Sequence, residues 1–407
     1  MPVLRNIGLL ARCLADGAQR EIHSIPSAAL AWEADRFVWV GPESKIPEEY
    51  SNWPSEDAGG NLVIPGLVDC HTHLAFGGWR SEEFEDRVLG RSYQEIARRG
   101  GGILSTMRHT REMTIDGLVE RCRGFLGEMA RLGVTTVECK SGYGLDTRSE
   151  LMLLETYRAL QKVVPQRIVS TLLAAHTVPP EYSDRREEYV KLIIDEIIPE
   201  VSRRGLASYC DVFIESGAFS IEEGRRILTA GIAHGLGAKM HADQLSPCGG
   251  AELAGELGAV SADHLECVSQ AGIRALVDGR VVAVSLPLAT LYLRQGVLPA
   301  RRLLEAGVPV AVATDFNPGS APSFHLPLAM TLACITQGMS PAEVLKGATI
   351  VAAAAIGVDV ECGSIESGKA ADFAIIDAPD VNQWLYHFRS NACVRTVIGG
   401  VTVPSAQ

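Results

Sequence analysis

After residue 60, short β-branched runs alternate with longer stretches whose apolar residues recur at helical spacing. The runs predict strands at Leu62–Val68, Val134–Lys140, Arg167–Ala174, Tyr209–Glu215, Gly237–Asp243, Ala259–Leu265, Arg280–Leu286 and Val308–Thr314. Helical patterns fill most of the gaps, at Thr147–Val164, Ile221–Leu236 and Gln270–Asp278 among others. Eight strands joined by helical crossovers predict an α/β chain folded as a parallel (β/α)8 barrel of the TIM type. An open doubly wound sheet would normally place a Gly-rich phosphate loop after its first strand, whereas here that loop carries His71-Thr72-His73. Residues 1–61 and 362–407 hold turn signals and short extended runs such as Arg36–Val40 and Ala374–Ile376. They predict one small β domain, built from both termini, beside a catalytic barrel over 62–361. The stretch 76–133 is too long for a simple crossover and should carry extra loops or helices over the barrel mouth.

Composition agrees with a large globular core: 407 residues, 47% hydrophobic and 21% charged. The net charge of −12, with no basic run, argues against nucleic acid or an anionic membrane surface as partner. It also means that an acidic substrate must be held by local arginines. No apolar stretch reaches the roughly 18–20 residues that cross a bilayer, and Met1–Leu14 does not read as a signal peptide. Ten cysteines without a Cys-x-x-Cys pair, several inside predicted strands, fit reduced core thiols in a cytoplasmic protein. A symmetric dimer is only the default for enzymes of this kind.

In barrels of this type the chemistry gathers at the carboxyl ends of the strands. Here those ends read His71 and His73, Lys140, Glu215, His241 and Asp243, His264 and Asp315, with His176 just past the third strand. Alternation along an extended chain sends His71 and His73 to one side. Alone, the pair is as well explained by two hydrogen-bonded histidines in a turn. Together with His241 and Asp315 it offers three nitrogens and a carboxylate, a set suited to Zn²⁺ or Fe²⁺ with room for water. A cation there would bring the pKa of its water from about 16 to roughly 7. His264 can be a fifth ligand, a structural hydrogen bonder, or the group that orients water and carbonyl oxygen. Four ligands already satisfy a single ion, which favours the last. Asp315 is the better candidate for proton transfer to a departing nitrogen.

Several longer stretches carry a family resemblance. They are Pro65–His73, Ser92–Ile96, Gly100–Thr106, Lys140–Leu145, His241–Gln244, Ser261–Glu266 and Ala313–Ser320. In order and nearly along the whole chain, these resemble the amidohydrolase superfamily. The His-x-His and the strand-eight Asp belong to the superfamily at large. Lys140-Ser141-Gly142-Tyr143-Gly144 and Asp315–Ser320 are much narrower. They imply hydrolysis of the ring amide of 4-imidazolone-5-propanoate to N-formimidoyl-L-glutamate, a step of histidine degradation. The resemblance implies that His71, His73, His241 and Asp315 hold one transition metal ion, zinc or iron. It also implies that Arg80, Tyr143, His176, Gln244, Asn317, Gly319 and Ser320 contact the substrate. The residue types agree: a guanidinium fork suits a propionate carboxylate, and a glycine-flanked Tyr143 allows close approach to a small ring.

Two departures from the family pattern matter: Gln244, and the looser matches at Ala174–Thr177 and Asp211–Glu215; Lys140 needs a reading of its own. Where some members carry a glutamate that works on the water, this chain has Gln244, which can orient but cannot take a proton. Binuclear relatives use a modified lysine on strand four, whereas Lys140 ends strand two and strand four ends in Glu215. One ion is therefore expected, with Lys140 paired to a buried glutamate. The competing readings are a deaminase or another cyclic-amide hydrolase acting on a small heterocycle, and a non-catalytic barrel. The last would ordinarily have lost a ligand, and all four are present.

Overall fold

Leu62–Val68 is one apolar run in the sequence, but the chain changes sheets in the middle of it. In the computed structural model, which describes residues 2–91 and 101–404, the run breaks at Gly66 into β5 (Leu62–Pro65) and β6 (Leu67–Asp69). A side chain at Gly66 would lie 2.2 Å from Thr135 Oγ1, so only glycine lets the two sheets approach so closely here. Hydrophobicity could not show this break, because residues on both sides of it are buried.

The first sheet combines both ends of the chain. Its strands β1 (Val3–Leu10), β2 (Ile25–Glu33), β3 (Arg36–Pro42) and β4 (Ser55–Asp57) come from the beginning, with β5 joining them. From the end come β14 (Phe373–Ile376), β15 (Cys393–Ile398) and β16 (Val401–Thr402). The order β16-β15-β14-β5-β1-β2-β3 places the late strand β14 antiparallel to β5, with Phe373 opposite Pro65. Leu4, Leu30, Trp32, Phe37 and Phe373 form its core, the Trp32 and Phe373 rings meeting edge to face at 5.3 Å. Each such side chain contributes about 1.5–3 kcal/mol by leaving water.

The second sheet is the barrel. After β6 come β7 (Val134–Lys140), β8 (Arg167–Ala175), β9 (Tyr209–Ile214) and β10 (Gly237–Ala242), then β11 (Ser261–His264), β12 (Val282–Ser285) and β13 (Val310–Val312). All eight run parallel in sequence order. Beyond the strand ends, Thr72 bridges Phe316, the Asp315 amide donates to His71 O at 3.0 Å and the His73 amide donates to Phe316 O at 2.9 Å. That seam draws the first and last strands together at the carboxyl-end mouth.

The crossover helices begin where their caps stand. Asp146 accepts from the Ser149 amide at the start of Thr147–Leu160, and Ser220 with Glu223 forms a capping box for Ile221–Ala233. Both helices are shorter than their apolar patterns. Pro165 disfavours helix at Val164, and Gly235 turns left-handed at φ 82°. Between the first two barrel strands lie helices Glu82–Val88, Ile103–Arg111 and Ile115–Arg131. The Ser92–Ile96 motif and Gly100 lie outside the described residues.

Candidate active site at the barrel mouth

At and just past the strand ends, Asp243 (φ 49°), His264 (φ 79°), Leu265 (φ 67°) and Asp315 (φ 56°) hold a left-handed backbone without being glycine. Such conformations cost of order 1–3 kcal/mol each and persist where the surroundings over-determine them. Asp243 is explained structurally, because its carboxylate accepts from the amides of Gly249, Gly250 and Ala251 and so caps the next helix. His264 and Asp315 have no such duty.

His71, His73 and His241 are buried and converge so that one ring nitrogen of each lies within 4.8 Å of the others. Asp315 Oδ1 stands 3.4 Å from both His71 Nε2 and His73 Nε2, and His241 Nε2 is 3.5 Å from His73 Nε2. His71 Nε2 has no hydrogen-bond partner although it is sealed from solvent. An orphaned imidazole nitrogen beside two further nitrogens and a carboxylate oxygen is what a transition-metal ion would satisfy, so the donor set fits the expected group. Burial pushes His73 down and His241 down to about 3, leaving both as neutral donors. For His71, burial and Lys140 oppose the charge, but Asp263 and Asp315 outweigh them and push it up to about 9. A proton and a cation compete for the same Nε2 lone pair. Burial works against the Asp315 anion, yet His71 and His73 hold its carboxyl well below the usual range.

The other nitrogen of two of these rings is tied down. His71 Nδ1–H donates to Asp263 Oδ2 at 2.6 Å, and His241 Nδ1–H donates to Asp211 Oδ1 at 3.1 Å. These bonds fix the tautomer and aim Nε2 into the mouth. Lys140, expected beside a glutamate, does meet Glu138 at 3.1 Å, but it also contacts Asp211 Oδ2 at 2.7 Å and Asp263 Oδ2 at 3.3 Å. Burial opposes its charge, and the three carboxylates together raise its pKa above the ordinary lysine value. Asp211 and Asp263 were given no role by sequence reasoning. Their signal was a carboxylate inside a predicted buried strand, which water cannot solvate and only a partner can explain.

On the substrate side, Tyr143 and His176 lie beside His73, with ring centroids 5.8 and 5.0 Å from it. His176 Nδ1–H donates to Gly142 O at 3.1 Å. Glu150 accepts from the amides of Gly142, Gly144 and Leu145, which shapes the loop bearing Tyr143. Gln244 is nearly buried, and the loop after it is held by Glu215, which accepts from Leu245 N at 2.8 Å. Asn317 Oδ1 accepts from the amides of Gly319 and Ser320, and its Nδ2 donates to Asp315 O at 2.6 Å. The Asn317–Ser320 turn is thus built on the strand-eight aspartate itself. Arg80, expected to hold a substrate carboxylate, has its Nε and Nη2 on Glu83, at 3.0 and 2.7 Å. Its Nη1 lies against Gly319. Arg87 Nη1 donates to Gly319 O at 2.8 Å, so helix Glu82–Val88 clips the strand-eight loop. His264 packs near the cluster, 5.5 Å from the His241 ring, and its Nδ1 has no hydrogen-bond partner.

The amidohydrolase family model matches residues 62–403. The imidazolonepropionase of Geobacillus kaustophilus is 48% identical over 375 residues, covering 91% of this chain and 88% of that protein. That of Porphyromonas gingivalis is 43% identical over 408 residues, covering 98% and 96%. The chain belongs to the imidazolonepropionases of the amidohydrolase family. Among solved structures, a zinc-bound adenosine deaminase from Xanthomonas campestris aligns with a TM-score of 0.73 at 18% identity, covering 98% of this chain and 92% of that one. At that identity the likeness speaks for the fold alone. The family's barrel mouth is where the histidine cluster lies, on the carboxyl ends of β6 and β10.

Proposed function

We propose that this chain hydrolyses the ring amide of 4-imidazolone-5-propanoate to N-formimidoyl-L-glutamate, as a metal-dependent enzyme of histidine degradation. Membership of the family supports the reaction. The observation that carries the site is the unpartnered, solvent-sealed Nε2 of His71, facing His73, His241 and Asp315.

His71, His73, His241 and Asp315 would hold the metal. When bound, such an ion polarises the carbonyl and makes water a nucleophile near neutral pH. The rest of the work falls to this chain's own side chains. Water adds to the ring carbonyl carbon, the carbon–nitrogen bond breaks, and the proton that water loses ends on the departing nitrogen. Asp315, with one oxygen between His71 and His73, is placed to take that proton and pass it on. His264, its ring 5.5 Å from that of His241, orients the carbonyl oxygen. Arg80 meets the propionate with its guanidinium, while Tyr143 and His176 bracket the ring beside His73. Gln244 orients without exchanging a proton, and the amides and hydroxyl of the Asn317–Ser320 turn supply donors.

We further propose a single zinc or iron ion, a homodimer and a cytoplasmic setting. We also propose a division into a barrel unit and a small sheet unit joined at Gly66. No helix of the described residues is long and apolar enough to cross a membrane. The test of the function is direct: metal-replete protein should bleach the ring's ultraviolet absorbance. A metal-replete sample that leaves it untouched, or that releases ammonia instead, would overturn the assignment.

A further inference from the structure

Beneath the histidines lies a sealed cluster of three carboxylates and two ammonium groups: Glu138, Asp211, Asp263, Lys140 and Lys239, all without solvent exposure. The two lysines are not equivalent. Lys239 contacts Glu138 at 3.2 Å and donates to Ala355 O at 3.0 Å. Neither of those groups holds a histidine of the site through a hydrogen bond. Lys140 touches both carboxylates that do. Asp211 divides its oxygens, Oδ1 to His241 and Oδ2 to Lys140 at 2.7 Å. Asp263 Oδ2 takes His71 Nδ1–H at 2.6 Å and faces Lys140 at 3.3 Å, while its Oδ1 accepts from Ser261 Oγ at 2.6 Å.

We propose that Lys140 is a positioning residue of the metal centre. Its ammonium bridges Asp211 and Asp263, locks the orientation of each carboxylate, and thereby aims the Nε2 atoms of His241 and His71 at one point. The same bridge occupies the space between Glu138, Asp211 and Asp263 with a fixed charge, so this acidic cluster serves the histidines rather than a second ion. Lys140 reaches no substrate and no reacting atom in this account. Its effect passes through two carboxylates and then two rings. Without it, Asp211 Oδ2 loses the charged partner that opposes rotation about Cβ–Cγ, and Asp211 Oδ1 is held only by the amide and Nδ1 of His241 itself.

The inference rests on the metal-centre reading, and the experiment separates the two. Full-length protein is stripped of metal, and Zn²⁺ affinity is measured by competition with a chromogenic chelator for the wild type, Lys140→Met and Lys239→Met. The expected result is a loss of affinity of about 10–100-fold for Lys140→Met and a smaller loss for Lys239→Met, whose charge acts on Asp263 but which touches neither Asp211 nor Asp263 directly. Cobalt-loaded Lys140→Met should also show an altered visible ligand-field spectrum, which a merely structural lysine would leave unmoved. Equal losses in the two lysine variants, or wild-type affinity and spectrum in Lys140→Met, would overturn the positioning role. Wild-type protein that takes up no Zn²⁺ would instead overturn the metal centre itself. Should Lys140→Met yield no folded protein, Asp211→Asn carries the test. It keeps the shape, loses the anionic link between Lys140 and His241, and should lower Zn²⁺ affinity by about tenfold or more. Unchanged affinity in that variant would refute the relay.

Discussion

Adding one methyl group at Gly319 displaces the Arg80 guanidinium without replacing Arg80. A Cβ at this position would lie 2.1 Å from Arg80 Nη1, 3.0 Å from its Cζ and 3.4 Å from Asn317 Oδ1. Ordinary contact begins near 3.5 Å, so the guanidinium must retreat by about 1.4 Å. Gly319 is not among the residues with positive φ, so alanine fits its backbone. The atom struck is the end of a flexible side chain, not backbone. Folding stability should therefore change little, with the thermal midpoint within about 2 °C of wild type. Substrate binding should change much more. A hydrogen bond to a charged group is worth about 1.5–3 kcal/mol, and at 8% side-chain exposure Arg80 has little water to weaken it. Losing that bond raises KM by roughly 10–150-fold, with kcat within about threefold if the arm only anchors. Steady-state bleaching of the ring absorbance, run beside a melting curve, reads both numbers. An unchanged KM with wild-type stability would refute the carboxylate-anchor role. A fall in kcat at constant KM would place Arg80 in the chemical step instead.

Four further outcomes follow from the same geometry. His241→Ala should lose the metal and all turnover while keeping its far-ultraviolet circular dichroism, because the ring is a donor at a strand end rather than a core filler. Chelation should abolish activity and Zn²⁺ or Fe²⁺ should restore it, with elemental analysis giving about one ion per chain. His264→Asn should keep the metal and lower kcat by about 10²–10³-fold, the size expected for an oriented donor to a developing oxyanion. Glu150→Gln weakens the acceptor for the amides of Gly142, Gly144 and Leu145. Denaturant unfolding should show a loss of about 1–3 kcal/mol, with a raised KM as the Tyr143 loop loosens.

Pattern alone made the barrel legible. Val134–Lys140 is a strand with the predicted limits, and Tyr209–Ile214 and Gly237–Ala242 end one residue early. Their residues are buried on both faces, which is the signature of a parallel strand. Arg280–Leu286 and Val308–Thr314 shrink to Val282–Ser285 and Val310–Val312, because apolar residues continue past the last ladder hydrogen bond. The candidate ligands were legible for a related reason: strand ends in a barrel share one rim, so their polar residues point to one place.

Arg80 with Glu83 lies between these cases. Arg80 precedes the helix Glu82–Val88, so helical spacing does not predict the pair, and an arginine fork suits a ligand carboxylate as well as a glutamate.

The order of apolar and polar residues determined that this chain closes eight parallel strands and sets histidine and aspartate at their ends, since periodicity and strand polarity are local properties. Tertiary structure alone decided that Leu62–Val68 serves two sheets, and that Lys140, Asp211 and Asp263, from three different strands, share one buried charge cluster. The reason is electrostatic: a buried charge is tolerable only through partners, and which partners stand within 3 Å depends on barrel curvature, which no single segment encodes.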